Sequence, residues 1–254
     1  MKHTAYTRAG SSKDAVLLIH GIAGSPDHFR DLVPIIPETF SVYNILLDGH
    51  SGTVREFARS SMDKWKEQVH LTLNTLLARH EKIVIVAHSM GTLFAIAKAI
   101  QYPDRISALF LLNVPTRPWV RFSTMVTSLK VAFEKLDDPR AQAMRSDTGI
   151  MLTPKLWEYI GWAPRMLELL QECHRIRKII PLLRVPTQTY QSKVDELVSI
   201  RSCLDLSNHP YIKNTVLLDS GHFVYGPEDT GLLQTRLLQL LTLQEKDICH
   251  EKTL

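Results

Sequence analysis

Residues 82–100 read KIVIVAHSMGTLFAIAKAI, and this stretch decides the fold. Its beginning, KIVIVA, is apolar and rich in β-branched residues, which predicts a strand buried on both faces. Its end, TLFAIAKAI, predicts an apolar helix. The AHSMG between them predicts a tight strand-to-helix turn with Ser89 at its tip, where the serine hydroxyl projects beyond the edge of the sheet.

Further apolar runs on either side predict more strands of the same sheet. AVLLI (15–19) and RISALFLLN (105–113) are apolar on both faces, as parallel strands covered by helices are. FSVYNILLD (40–48), VPTQTYQ (185–191) and NTVLLD (214–219) complete the set. One of the helical stretches between them has an apolar stripe at three- and four-residue spacing: Met62, Trp65, Val69, Leu73, Leu76 and Leu77. The alternation predicts a doubly wound, mostly parallel α/β sheet.

A helical segment interrupts this alternation. Between 115 and 183, three helical stretches (119–136, 154–161 and 162–180) follow one another without a strand. We therefore predict a core domain of residues 1–114 and 184–254 and a helical cap, or lid, of residues 115–183. The aromatic and aliphatic side chains of the cap form either its own core or part of an apolar substrate pocket.

The bulk composition narrows the class of protein. The chain has 254 residues, 44% of them hydrophobic, and a net charge of +4 without a basic and aromatic stripe, so we predict no nucleic-acid partner. No apolar run reaches transmembrane length, so no stable membrane insertion is expected. The three cysteines lack CxxC spacing, and the N-terminus lacks a signal-peptide pattern. Both features predict a cytoplasmic protein, unless a leader has been cleaved. The oligomeric state stays open.

A serine nucleophile needs a base, and His222 has the best setting among the histidines. It follows the last predicted strand, in DSGHF (219–223), so its loop faces the same crevice as the turn of Ser89. The base needs a carboxylate, and we predict Asp195, in SKVDELV (192–198), because it follows a strand and lies between serine and histidine in the chain. Glu196 is expected to point elsewhere. The other candidates are Asp205, a helix later, and Asp219, which more naturally shapes the turn before His222.

Two backbone N–H groups are predicted to form the oxyanion hole. Met90 begins the helix after Ser89, so its N–H points toward the developing negative charge with the helix dipole behind it. The second donor is expected from the loop HGIAGS (20–25), and Ile22 is the best candidate. His20 is expected to shape this loop. No P-loop, GxGxxG turn, HExxH helix or EF-hand is present in the sequence, so we predict neither a cofactor nor a metal.

With these motifs together, the chain resembles the α/β-hydrolase superfamily, in particular small bacterial carboxylesterases and monoacylglycerol-lipase-like enzymes. HGIAGS, DGHSG (48–52), AHSMG, SKVDELV and DSGHF carry the resemblance. It implies a catalytic triad of Ser89, Asp195 and His222, and a cap inserted after the sixth strand. Relatives usually have G-H-G where this chain has GHSG, which leaves the role of His50 open.

The resemblance implies an ester hydrolase acting on a small-molecule ester with apolar acyl or alcohol groups. Dehalogenases and epoxide hydrolases of this fold have aspartate at the tip of the strand-to-helix turn. The serine found there in this chain, Ser89, argues against both. A thioesterase, an amidase or a C–C bond hydrolase would use the same triad. A non-catalytic ligand-binding module is the alternative from a different class.

Overall fold

A seven-stranded sheet organises the chain. The computed structural model describes residues 3–119, 131, 133, 142, 145–146 and 148–251, with side chains described as far as 243. The strands are β1 (Tyr6–Arg8), β2 (Ala15–Ile19), β3 (Ser41–Ile45), β4 (Ile83–His88), β5 (Ile106–Leu112), β6 (Thr187–Ser192) and β7 (Ile212–Leu217). Their order in the sheet is β1-β3-β2-β4-β5-β6-β7. The β1–β3 pair is antiparallel, and the other pairs are parallel.

Helices follow most of the strands. The α-helices of the described chain are α1 (Val54–Ala58), α2 (Met62–Leu77), α3 (Met90–Gln101), α4 (Ala163–Ile179), α5 (Cys203–Leu206) and α6 (Pro227–Glu251). Short 3-10 helices span Pro26–Phe29, Val33–Ile35, Leu156–Trp162, Ile180–Leu182 and Ile200–Ser202. The stripe predicted on α2 is confirmed, since its residues are buried except for Leu77, which is partly buried. None of the described helices combines the length and apolar character needed to cross a membrane.

Both faces of the sheet are covered, as predicted for a doubly wound sheet. Neighbouring residues of one strand point to opposite faces. Leu17 therefore packs in the larger apolar cluster, with α2, α3 and α4, whereas Leu18 packs in the second cluster, with α6. All residues of β2 and β4 are buried. These two strands end beside each other in the middle of the sheet, and the predicted site lies at their carboxyl ends.

Two details differ from the sequence prediction. The three-residue strand β1 was not predicted, because a run this short and polar becomes a strand through its pairing with β3. With one strand ahead of β2, the segment that begins at 115 follows the fifth strand of the described sheet, and the expected position after the sixth is wrong for this chain.

The segment 115–183 is described in part. The helix predicted over 119–136 lies outside the described residues, apart from a few single positions. The other two predicted helices correspond to the 3-10 helix Leu156–Trp162 and to α4. Buried residues of α4, such as Ile176, belong to the same apolar cluster as the central strands. Division of the chain into a core and a 115–183 cap stays a prediction.

Candidate active site

Ser89 lies on a strained turn between β4 and α3. Its φ is 48° and its ψ −122°, a backbone conformation that costs a residue with a Cβ atom about 1–3 kcal/mol. Two backbone contacts hold the turn. The Ser89 N–H donates to the carbonyl of Leu112 at 2.9 Å, and the Ser89 carbonyl accepts from the N–H and the hydroxyl of Thr92. The predicted strand–turn–helix geometry at AHSMG is therefore present.

Two glycines let the neighbouring backbone approach this turn. A Cβ atom on Gly91 would lie 2.2 Å from the carbonyl oxygen of Ile19, at the end of β2. A Cβ atom on Gly21 would lie 2.8 Å from the Cβ atom of Ser89. Both distances are shorter than any real contact, so the loop after β2 reaches Ser89 because these side chains are absent.

The structure brings Asp195 and His222 together. The Nδ1–H of His222 donates to Oδ2 of Asp195 at 2.8 Å, and both side chains are almost fully buried. The other carboxylate oxygen, Oδ1, accepts from the N–H groups of Leu197 and Val198, each at 2.7 Å. The carboxylate is thus fixed by its own loop, and the Nε2 atom of a neutral His222 ring is left as a proton acceptor.

Glu196 also holds His222, although it was expected to point elsewhere. Its carboxylate oxygen Oε2 accepts the backbone N–H of His222 at 2.8 Å. Adjacent acidic residues therefore fix the ring and the backbone of the same histidine. No sequence pattern predicts this contact, because it depends on how the two loops face each other.

His222 lies beside the residue that precedes Ser89. The Nε2–H of His88 donates to the carbonyl oxygen of His222 at 3.1 Å, and the centroids of the two rings are 4.7 Å apart. The hydrogen bonds of Ser89 in the described chain run through its backbone. Transfer of the Ser89 proton to Nε2 of His222 is therefore a proposal.

Two buried histidines hold the loop of Ile22. His20 accepts the N–H of Leu47 at its Nε2 atom (3.1 Å), and its Nδ1–H donates to the carbonyl of Gly21 (2.9 Å). His50 accepts the N–H of Ala23 at 3.1 Å. His20 thus shapes this loop, as predicted, and His50 has the same kind of role. Met90 is the first residue of α3, so its N–H has no acceptor within that helix. The oxyanion roles of Ile22 and Met90 stay predictions.

Burial keeps His20, His28, His50 and His88 neutral. Loss of hydration lowers the pKa of His50 to about 4 and the pKa of His28 to about 3. The same cause holds the pKa values of His20 and His88 well below their usual range. His28 follows none of the predicted strands, so the sequence suggests no role for it. In the structure its ring stacks on that of His88, with ring centroids 3.7 Å apart. A neutral ring at these positions keeps the acceptor nitrogens of His20 and His50 available at neutral pH.

Described parts of the 115–183 segment lie against the site. The N–H of Gly149 donates to the carbonyl of Ala23 at 2.9 Å, next to Ile22. Val131 packs with Leu152 and with Phe223, which follows His222. Apolar side chains of the segment therefore border the loop that carries His222. In the part of the chain that the structure describes, no group of three or more histidine, cysteine or acidic side chains has a metal-binding arrangement.

Comparison with known proteins identifies the same fold. Residues 14–128 match the family described as alpha/beta hydrolase fold. A structure of metagenome-derived lipolytic enzymes, LipS and LipT, superposes with a TM-score of 0.75 at 21% identity, over 95% of this chain and 98% of that one. The monoacylglycerol lipase of Paleococcus ferrophilus superposes with a TM-score of 0.68 at 15% identity, over 95% and 98%. The chain has the α/β-hydrolase fold.

Among curated proteins, the chain resembles monoacylglycerol lipases. It is 24% identical to monoacylglycerol lipase abhd6-B of Xenopus laevis over 200 residues. The matched region covers 76% of this chain and 52% of that protein. The chain thus spans about half the length of this relative.

Proposed function

We propose that the protein is a serine hydrolase that cleaves carboxylic esters through an acyl-enzyme on Ser89. The observation that carries this proposal is the buried Asp195–His222 pair, 2.8 Å apart, beside the strained turn that presents Ser89. A serine hydroxyl is a weak nucleophile at neutral pH and needs such a base. Strain at its backbone is typical of functional turns.

In the first step, Ser89 Oγ attacks the ester carbonyl while Nε2 of His222 takes the serine proton. Asp195 stabilises the imidazolium that forms and keeps Nδ1 protonated. His222 then gives the proton to the leaving alcohol, and the acyl group stays on Ser89. A water molecule then attacks the acyl carbonyl while His222 takes its proton. His222 returns this proton to Ser89 Oγ as the acyl–oxygen bond breaks, which releases the acid and restores the serine.

The N–H groups of Met90 and Ile22 are proposed to stabilise the negative oxygen of each tetrahedral intermediate. Met90 is favoured because the dipole of α3 points its positive end at this position. Ile22 is favoured because the loop around it is held by His20 and His50 and lies against Ser89 through Gly21. A donor that is already fixed costs no reorganisation during the reaction.

The substrate is proposed to be an ester with apolar acyl or alcohol groups, such as a monoacylglycerol. The apolar contact of Val131 and Leu152 with Phe223, next to the histidine, supports an apolar environment. The resemblance to monoacylglycerol lipases supports the same class. A cytoplasmic location is also proposed, since Cys173 and Cys203 are free thiols.

Rates of hydrolysis of p-nitrophenyl esters of increasing acyl length test this proposal, with the Ser89→Ala variant as the control. We expect turnover that depends on Ser89 and rises with acyl length. If Ser89→Ala hydrolysed the esters as fast as the wild type, Ser89 would not be the nucleophile. A preference for charged or very polar acyl groups would refute the proposal that the substrate site is apolar. Thioester, amide and C–C substrates in the same assay distinguish the other uses of the triad.

A further inference from the structure

The loop between β6 and the next 3-10 helix, residues 193–199, carries Asp195 and is called the acid loop below. Backbone hydrogen bonds pair it with the beginning of the 115–183 segment. The N–H of Trp119 donates to the carbonyl of Leu197 at 2.7 Å, and the N–H of Ser199 donates to the carbonyl of Arg117 at 3.0 Å. Pro118 and Val198 lie opposite each other in an antiparallel bridge. The segment therefore pairs with the residues whose N–H groups fix Asp195.

Asp205 anchors the other side of this pairing. Its carboxylate accepts two parallel hydrogen bonds from the Arg117 guanidinium, each at 2.9 Å, and a third from the Thr116 hydroxyl at 2.8 Å. Arg177, on α4, donates to the same carboxylate at 3.1 Å. Asp205 thus joins both ends of the 115–183 segment at the point where its first residues meet the acid loop.

This anchor has the geometry of a strong contact. Two-pronged arginine–carboxylate pairs fix direction as well as distance. The Asp205 side chain is 11% exposed. Burial alone would raise the pKa of Asp205, but hydrogen bonds from Arg117 and Thr116 outweigh it and hold the pKa below its usual range.

A cavity of about 290 Å³ borders the same loop, with Asp195, Val198 and Trp119 among its walls. The acid loop is therefore not packed solidly on this side. Three sets of hydrogen bonds hold it: those of Asp195, the contact of Glu196 with the His222 N–H, and the pairing with residues 117–119.

We infer that Asp205 is a positioning residue for the catalytic acid, an inference that rests on the proposed function. Asp205 fixes Arg117, the Arg117 backbone fixes the loop of residues 197–199, and that loop fixes the Asp195 carboxylate against His222. Displacement of a catalytic group by about 1 Å costs up to about 100-fold in rate. Loss of the Asp205 anchor should therefore lower kcat strongly and change substrate binding little.

Asp205→Asn tests this inference, with Glu172→Gln as the matched control. Glu172 is also a buried carboxylate paired with two cations, Lys66 and Arg175, but its contacts do not reach the acid loop. We expect Asp205→Asn to lower kcat by roughly 10- to 100-fold, with KM changed less than about threefold. Glu172→Gln should leave kcat unchanged.

A second readout follows the Asp195–His222 contact itself. The Nδ1 proton of His222 should give a low-field proton NMR resonance, identified by its loss in His222→Ala. We expect this resonance to disappear or move in Asp205→Asn and to stay in Glu172→Gln. Where circular dichroism shows that Asp205→Asn is unfolded, Arg117→Lys, which loses the two-pronged contact, replaces it.

An unchanged resonance in a folded variant would overturn the inference, as would its absence from the wild-type protein. A wild-type protein with the resonance but without ester turnover would count against the proposed function. In that case a changed resonance in Asp205→Asn would still support the positioning role. The two proposals therefore fail separately.

Discussion

Oδ2 of Asp195 lies 2.8 Å from Nδ1 of His222, with side chains that are 1% and 3% exposed. This contact joins the loop after β6 to the loop after β7, and it fixes which nitrogen of the ring carries the proton. Both side chains are thus almost fully removed from solvent, and the second carboxylate oxygen of Asp195 is already taken by two backbone N–H groups.

Asp195→Asn should lower kcat for ester hydrolysis by about 10⁴-fold, because an amide no longer selects the reactive tautomer of His222 or stabilises its charged form. Steady-state kinetics on a p-nitrophenyl ester measures this loss. Asp63→Asn is the control, since the Asp63 side chain is 96% exposed. Activity of Asp195→Asn within about twofold of wild type would mean that another group acts as the acid.

Acid should destabilise the protein through its buried histidines. Burial lowers the pKa of His50 from 6.5 to about 4, so between these values the unfolded chain binds more protons than the folded one. The free energy of unfolding therefore falls as the pH falls through this window, and at pH 5 His50 alone accounts for about 2 kcal/mol.

Urea unfolding at pH 7 and pH 5 measures this effect, with His50→Gln as the comparison. The glutamine side chain offers an oxygen to the Ala23 N–H but does not titrate. The loss of stability between the two pH values should therefore be smaller in His50→Gln by about 2 kcal/mol. Equal losses in both proteins would show that His50 is not buried in its neutral form.

Gly91→Ala should destabilise the protein by about 1–3 kcal/mol, because the added methyl group meets the backbone carbonyls of Ile19 and His20 and pushes α3 away from β2. Gly231→Ala is the control, since a Cβ atom there meets nothing within 4 Å. In the interior of α6 that alanine should stabilise the protein by about 0.5–1 kcal/mol. Denaturant unfolding compares the two, and equal stabilities would contradict the close approach at Gly91.

The central strands could be predicted because their sequences leave little choice. AVLLI forms β2 with the predicted bounds, and RISALFLLN contains β5, since both are apolar on both faces. At the edge of the sheet the signal weakens. NTVLLD predicts a strand over 214–219, but β7 spans Ile212–Leu217 and leaves Leu218 64% exposed. Pairing with β6 sets this register, and hydrophobicity alone does not reveal it.

In the candidate site, too, some features could be predicted from the sequence and others could not. Ser89, Asp195 and His222 follow predicted strands, so their common edge of the sheet could be inferred. The contacts of Glu196, His28 and His50 could not, because each joins loops that are distant in the chain. Asp205, considered as the acid, instead pairs with Arg117 and Arg177.

Covalent labelling by a fluorophosphonate tests the central claim most directly, because the reagent needs a serine activated by its own base. Intact-protein mass spectrometry of the wild type should show one adduct, and peptide mapping should assign it to Ser89. Ser89→Ala should stay unlabelled, and His222→Ala should label far more slowly. No adduct on folded wild-type protein, or an adduct that persists in Ser89→Ala, would contradict the assignment of Ser89 as the nucleophile.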